Sequence, residues 1–257
     1  MSIPKEPRQL MINLMYLVLT ALLALNVSAE VMNAFFSLDK GMKGSREIVE
    51  RNNASLQQAI EKGAQQYPSA QAEEYKNRAI KVNQLTTEFV SYIEDIRKTL
   101  FDKAGGANPK VPDQPKDIRN KDITTKMFVN DGLGNEIMNK IQATRDELVK
   151  LVDNDPAVVS ALSLAVEELP EGVKAKTWPE YKFKQMPVSA VFPLLGKIQS
   201  DAKSSATAAL NYCSTKVQGT DFKVDKFLVG VTPKKNYVIL GETFEADVFL
   251  SAYSSKA

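Results

Sequence analysis

The chain has 257 residues, of which 33 are basic and 31 acidic, so the net charge is only +2. This balance, with no basic cluster, argues against a nucleic-acid-binding surface. The chain has no histidine, which excludes Ser/His/Asp triads and nearly all zinc sites. The sequence also lacks a phosphate-binding loop motif. We therefore expect no cofactor and no enzymatic activity.

An uncharged segment near the N-terminus dominates the sequence. Between Arg8 and Glu30 no residue is charged over 21 positions, QLMINLMYLVLTALLALNVSA. As a helix that rises about 1.5 Å per residue, it would extend about 32 Å, close to the roughly 30 Å hydrocarbon core of a bilayer. This match predicts a transmembrane helix at residues 10–29, preceded by a short N-terminus at residues 1–9.

Two other interpretations of the uncharged segment remain open. Lys5 and Arg8 followed by Val27-Ser28-Ala29 resemble the basic region and cleavage site of a signal peptide. An ordinary signal peptide, however, has an apolar region of only about 7–15 residues. The second alternative is that the segment is a buried helix in the core of a soluble protein. Its length and its place at the extreme N-terminus favour an uncleaved anchor.

The flanking charges predict the orientation of the span. Lys5 and Arg8 precede it, whereas Glu30 and Asp39 are among the first charges after it. The excess of positive charge on cytoplasmic flanks places residues 1–9 in the cytoplasm. The remainder of the chain then lies on the opposite side of the membrane.

Polar residues inside the span form one stripe. Asn13, Tyr16 and Thr20 lie within about 60° of one another at 100° per residue. Polar groups in hydrocarbon seek partners on neighbouring helices, so the stripe predicts contact with partner helices. The alternative is that Tyr16 only fills space while Thr20 bonds its own backbone.

The span contains no carboxylate that could take up a proton, because residues 10–29 include no Asp or Glu. If the protein works in a proton-driven machine, the titrating carboxylate must belong to a partner. Arg8 at the cytoplasmic edge is the residue that would pair with it. The alternative is that Arg8 only extends its charge into the interface.

Apolar periodicity predicts a helical bundle over residues 30–220. The helix of the span is expected to continue to Pro68, with Gly41 and Gly44 as positions that bend or interrupt it. An unbroken stripe of three- and four-residue spacings then predicts a helix over residues 72–100. The positions expected inside are Val31, Phe35, Leu38, Met42, Val49, Leu56 and Ile60, then Ala72, Tyr75, Ala79, Val82, Thr86, Phe89, Ile93, Ile96 and Leu100.

The second half of the bundle contains shorter predicted elements. A turn at residues 130–134 precedes a helix at about 135–152, and Asp155-Pro156 starts a helix that is expected to end near Leu169. Residues 170–187 are predicted to be irregular, with Trp178 as an apolar plug. The last helix, from about Ser189 to Lys216, has small residues at its centre and is predicted to be the central helix.

The apolar stripes at residues 72–100 and 191–216 are longer than a small monomeric bundle obviously needs, which predicts a parallel homodimer. From residue 221 the period changes to two, with alternating apolar residues around Phe222, Tyr237 and Phe244. Residues 221–257 are therefore expected to begin a β domain. Because so few strands cannot enclose a core, we expect the chain to be part of a longer protein or to complete a partner's sheet.

The sequence resembles the GldM family of gliding motility and type IX secretion. The resemblance rests on KEPRQLMINLMYLVLTALLALNVSAEVMNAFF at the N-terminus, and on FLVGVTP and YVILGETFEADVFLSA near the end. It implies a mainly α fold: one inner-membrane helix, a periplasmic helical bundle, and then all-β, sandwich-like domains of which only the first begins here.

The resemblance also implies a function. Members form a homodimer whose membrane helices stand inside a ring of GldL helices, and the complex converts proton-motive force into movement of the periplasmic part. The arginine and tyrosine of the family's membrane motif correspond to Arg8 and Tyr16, with the arginine facing a GldL glutamate. Periplasmic secretion components would be reached through the missing C-terminal part. A passive membrane-anchored scaffold or sensor is the alternative.

Overall fold

The computed structural model describes residues 7–217, 226–233 and 246–253. Side chains are described for residues 7–21 and 30–217. The described part is mainly helical, as predicted, and is built around three long helices.

The first helix, α1, runs without a break from Pro7 to Gln66. Its 60 residues correspond to a rod of about 90 Å. It ends just before Pro68, as predicted. Gly41 and Gly44 do not interrupt it, because an isolated helical glycine costs only about 1 kcal/mol, which tertiary contacts can offset.

The predicted inner face of α1 is only partly correct. Leu56 and Ile60 face the bundle, but Val31 and Leu38 are exposed, Leu38 by 55 %. The face that contacts the rest of the chain instead includes Met32, Asp39, Arg46, Asn53 and Ile60. These positions are spaced by seven, so the helix is rotated toward a face with polar residues.

The other long helices are α2, Ala70–Lys103, and a C-terminal helix, Val188–Val217. In α2 the nine predicted inner residues are the buried ones. The side-chain oxygen of Ser69 caps its start by accepting a bond from the N–H of Ala72 at 3.0 Å. This stripe is buried within a single chain and therefore gives no support for a dimer.

Four short helical elements connect α2 to the C-terminal helix. They are α3, Asp122–Thr124, which continues into a π-helical segment, Thr125–Asn130; α4, Leu133–Leu151; α5, Pro156–Ala161; and α6, Trp178–Phe183. The C-terminal helix is accordingly α7. The predicted turn before α4 and the Asp155 cap of α5 are confirmed.

Two predictions in this connecting region are wrong. Helix α5 ends at Ala161 rather than near Leu169, because the chain turns extended and buries Leu162 and Leu164. Arg145 donates to the backbone oxygens of both leucines, at 2.9 and 2.8 Å, which holds the extended backbone in place. Residues 170–187 are also not all irregular, since they contain α6.

Helix α7 lies at the centre, as predicted, with α1 and α2 packed against it. Hydrogen bonds between residues 32–53 of α1 and residues 189–203 of α7 join positions 150 to 157 apart in sequence, so the two helices run parallel. Helix α2 runs antiparallel to them, since Arg97 near its end contacts Asp39 and Tyr75 near its start lies beside Tyr212.

The core consists of two clusters along the bundle. One surrounds Phe89, Phe128, Trp178, Phe183 and Leu195, and the second lies further from the N-terminus of α1, around Ile60, Val82, Leu148 and Leu210. Trp178 is buried and meets Phe183 edge-on at 5.7 Å between ring centroids. It is therefore the apolar plug that the sequence predicted.

After the bundle two strands pair antiparallel, β1 at Lys226–Pro233 and β2 at Ala246–Tyr253. Their register places Lys226 opposite Tyr253 and Pro233 opposite Ala246. The predicted alternation around Phe222, Tyr237 and Phe244 lies outside the described residues. A complete β domain therefore stays a prediction.

Candidate functional site

All four residues singled out for partner contact lie on α1, ahead of its contacts with the bundle. Arg8, Asn13, Tyr16 and Thr20 are exposed, Tyr16 by 63 %. Every described side chain from residue 7 to 21 is likewise exposed. This segment projects beyond the bundle, where it is free to meet other chains.

Helical geometry does not bring these four residues to one face. Asn13, Tyr16 and Thr20 share a side of the helix. Leu10, Asn13, Leu17 and Thr20 form one line along the helix, and Arg8 lies about 160° around the helix axis from the centre of that line. The Thr20 hydroxyl donates to the backbone oxygen of Tyr16 within the same helix. Thr20 thus bonds the backbone of its own helix, which is the alternative to a partner contact. Its hydroxyl oxygen can still accept a hydrogen bond from another chain.

Among the side chains that the structure describes, no helix carries an apolar stretch sufficient to cross a membrane. Residues 22–29 of the predicted span are helical, but their side chains lie outside the described part.

Where α1 meets the bundle, its apolar contacts, such as those of Phe36 and Ile60, are accompanied by buried polar side chains. Arg46 is 7 % exposed and donates to the backbone oxygen of Gly196 at 3.0 Å. Asn53 is 6 % exposed; it donates to the oxygen of Lys203 at 3.1 Å and accepts from the Thr207 hydroxyl at 2.7 Å. Both residues thus bond α7 about 150 positions away.

Asp39, one heptad before Arg46, links α1 to α2. The Arg97 guanidinium donates to both Asp39 oxygens, at 2.7 and 3.1 Å, which is the paired geometry that makes such bridges specific. Arg97 also donates to the backbone oxygen of Phe192 at 2.6 Å and lies over its ring. This one guanidinium therefore joins α1, α2 and α7.

Gly196 leaves the space that these charged groups occupy. A Cβ at this position would lie 2.8 Å from both the Arg46 Nη1 and the Asp39 Oδ1. Burial is the main reason that the pKa of Arg46 is lowered, with the neighbouring Arg97 charge adding to the effect. We call Asp39, Arg46 and Asn53, with Arg97 and Gly196, the polar joint.

A second polar cluster lies at the other end of the bundle. The Asp153 carboxylate accepts from the hydroxyls of Tyr75 and Tyr212, at 2.7 and 3.0 Å, and from Arg78 at 2.7 Å. The bonds from Tyr75 and then Arg78 lower the pKa of Asp153. This cluster fastens α2, the turn after α4, and α7 to each other.

Sequence reasoning does not identify the polar joint. The inner positions of α1 are predicted from apolar side chains, so Asp39, Arg46 and Asn53 are not predicted to contact the bundle. The available signal is their seven-residue spacing, in phase with Met32 and Ile60. Within the described part of the chain no group of side chains could hold a metal ion.

The described chain is thus a helical bundle from which the N-terminal part of α1, uncharged between Arg8 and Glu30, projects. The sequence profile of the GldM N-terminal domain matches residues 30–216, and that of the GldM second domain matches residues 218–257. The chain belongs to the GldM family. No curated protein matches it in a sequence search.

Family membership assigns the chain to the gliding and type IX secretion machinery as a membrane-associated component. The family is known for a structural or motor role rather than for an enzymatic one.

Proposed function

We propose that this chain is a single-pass inner-membrane subunit of the motor that powers gliding and type IX secretion. Residues 10–29 act as a shaft within a ring of GldL helices, residues 1–9 are cytoplasmic, and residues 30–220 form a periplasmic bundle that passes the motion on. The β segment from residue 221 leads toward periplasmic secretion components. The observation that carries the proposal is the continuity of α1 from the uncharged segment into the bundle.

A seam along α1 supports pairing with a second copy of the chain. Leu10, Leu17, Ala24, Val31, Leu38, Ser45, Asn52 and Ala59 repeat every seven residues, and so do Asn13, Thr20, Val27, Ala34, Gly41, Ile48 and Ser55. None of the fifteen is charged, and those with described side chains are all exposed.

This seam has the period of a left-handed coiled coil. Exposed apolar residues such as Val31, Leu38 and Ile48 are costly to leave in water on a charged protein. In a parallel dimer each position meets its own copy, so Asn13 and Asn52 bond their counterparts, a pairing known to favour two-stranded coils. The homodimer is therefore proposed through α1, and the stripe of α2 has no part in it.

The position of Arg8 fits a second partner. Because Arg8 lies nearly opposite the seam, it points toward the surrounding ring when the seam is paired. There it would meet the carboxylate that this chain's span lacks. One proton that crosses about 150 mV releases roughly 3.5 kcal/mol, which is enough to remake such a pair but not to unfold the bundle.

The alternative, a passive anchored scaffold, makes a different prediction about the span. A tether tolerates any apolar residue, because lipid does not distinguish side-chain shape. A shaft inside a ring does not, since its polar groups contact other helices. Each such bond is worth only about 0.6 kcal/mol, so the loss of one changes how the helix is seated rather than whether the complex forms.

The test compares span variants for assembly and for movement. Arg8→Ala and Tyr16→Ala should insert normally and recover GldL, yet lose secretion and gliding, with Tyr16→Phe intermediate. Leu14→Ala, an exposed apolar residue between them, is the matched control and should glide normally. If leucine at Asn13, Tyr16 and Thr20 together leaves gliding at wild-type speed, the helix is only an anchor.

A further inference from the structure

We infer that Asp39, Arg46 and Asn53 hold α1 in one rotational register against α7, so that turning of the projecting helix is transmitted to the bundle. The inference rests on the proposed function, because it assigns these residues a role in passing on that motion. Its basis is the contacts of the polar joint.

The three residues occur every seven positions on the face of α1 that meets the bundle. Arg46 and Asn53 each donate to a backbone oxygen of α7 that lies 150 positions ahead. Backbone oxygens stand at fixed places on a helix. A side chain that bonds them therefore reports the position of one helix relative to the other.

Apolar contacts alone would not fix the rotation of α1 between residues 36 and 56. Between Phe36 and Leu56, where every side chain is described, the face of α1 that meets the bundle offers only Met42 and Val49 as half-buried apolar side chains. Apolar contacts are non-directional, and such a surface accepts small rotations at little cost.

The polar residues change that balance. A rotation by one residue would pull Arg46 away from its acceptor and carry Glu47 or Ser45 toward the interface. A buried polar group without its partner is strongly unfavourable. Buried polar residues are best known for this use, the selection of one register among several.

Gly196 is the complementary feature of α7. It provides the space that admits both the Arg46 guanidinium and the Asp39 carboxylate, each 2.8 Å from where a Cβ would stand. Alanine there would displace these two side-chain ends without meeting fixed backbone, and alanine is otherwise the better helix former. Gly196→Ala therefore disturbs the register while the helix itself is favoured.

The experiment uses Arg46→Met and Gly196→Ala in the full chain. Methionine keeps the length of the side chain and removes a charge whose burial is unfavourable, which offsets part of the lost hydrogen bond to Gly196. We expect Tm to stay within about 3 °C of wild type, with normal recovery of GldL. Arg46→Lys, which can still donate, should behave as wild type. Arg51→Met, an exposed arginine of α1, is the matched control.

The register is read by spin labels on exposed positions, with Gln58→Cys on α1 and Ser204→Cys on α7. The native Cys213 is fully buried and burial raises its pKa to about 11, so it stays unlabelled. The doubly labelled chain with the native joint is mixed with an excess of unlabelled chain, so that few of the proposed dimers contain two labelled copies. It should then give one narrow distance distribution. Arg46→Met and Gly196→Ala should broaden or split it, and the cells that carry them should lose most of their gliding speed.

Two outcomes would overturn the inference. One is an unchanged distance distribution in both variants. The other is a broadened distribution with wild-type gliding, because the register would then not be used. Loss of gliding in Arg8→Ala with normal gliding in both joint variants rejects this inference alone. Normal gliding in Arg8→Ala and in the three-leucine variant rejects the proposed shaft itself.

Discussion

At the residue scale, the absence of a single Cβ atom lets neighbouring elements approach each other closely. Gly134, in the first turn of α4, has no room for a side chain, since a Cβ there would lie 2.6 Å from the Phe128 oxygen and 2.6 Å from the Pro179 Cβ. The first of these is backbone, which cannot move aside without shifting the π-helical segment. Gly44 in α1 has nothing within 4 Å of the same position.

These two glycines should respond to alanine with opposite signs. Gly134→Ala should lower the free energy of unfolding by about 1–3 kcal/mol, as overpacking usually does. Gly44→Ala should raise it by about 0.5–1 kcal/mol, because alanine is the better helix former. Urea unfolding of both variants gives the comparison. A neutral Gly134→Ala would mean that both α6 and the π-helical segment move away from α4 at little cost.

At the element scale, α1 has two working faces with different chemistry. The face toward α7 combines apolar residues with the polar joint, and the seam is uncharged and exposed. Their centres lie roughly 120° apart around the helix, from 100° per residue. One helix can therefore be held firmly in its own bundle while it pairs with a second copy.

Charge placed in the seam should separate the two copies. Leu38→Lys together with Ser45→Lys would bring like charges face to face in a parallel dimer, which is unfavourable in a coiled-coil seam. Sedimentation of the purified chain should show the wild type as a dimer and the double variant as a monomer. Asn33→Lys, exposed away from the seam, should stay dimeric. A wild-type chain that is monomeric at all concentrations contradicts the seam.

At the scale of the whole molecule, the Asp153 cluster joins parts of the chain that are far apart in sequence. Tyr75 and Arg78 come from α2, Tyr212 from α7, and Asp153 itself from the turn after α4. The folded pKa of Asp153 is lowered, chiefly by the Tyr75 hydroxyl. The ionised Asp153 carboxylate therefore contributes its full stability when the pH is above its pKa in the unfolded chain. This contribution is lost as the pH falls through the pKa in the folded chain.

Acid should loosen the bundle partly through this carboxylate. Below about pH 4, the unfolded value for Asp, the wild type should lose stability as the pH falls. Asp153→Asn should be less stable at pH 7 but should lose less between pH 7 and pH 3. Asp146→Asn, an exposed carboxylate of α4, is the control and should follow the wild type. If Asp153→Asn lost as much stability as the wild type between pH 7 and pH 3, Asp153 would not contribute to the acid sensitivity of the bundle.

Sequence alone determined the features that depend on local order. The stripe of α2, the end of α1 before Pro68, the Asp155 cap and the buried Trp178 were all predictable, because each follows from the helical period or from a residue's own chemistry. The uncharged segment and its polar stripe are equally legible in the sequence, as is the resemblance to the GldM family, which the domain matches confirm.

Only the tertiary structure decided which face of α1 turns inward and where α5 ends. Arg46 and Asn53 are buried because backbone oxygens 150 residues away accept their bonds, and no local pattern contains those partners. The same holds for Arg145, which satisfies the carbonyls that end α5 early. A polar residue looks solvated in a sequence until the chain that satisfies it is in place.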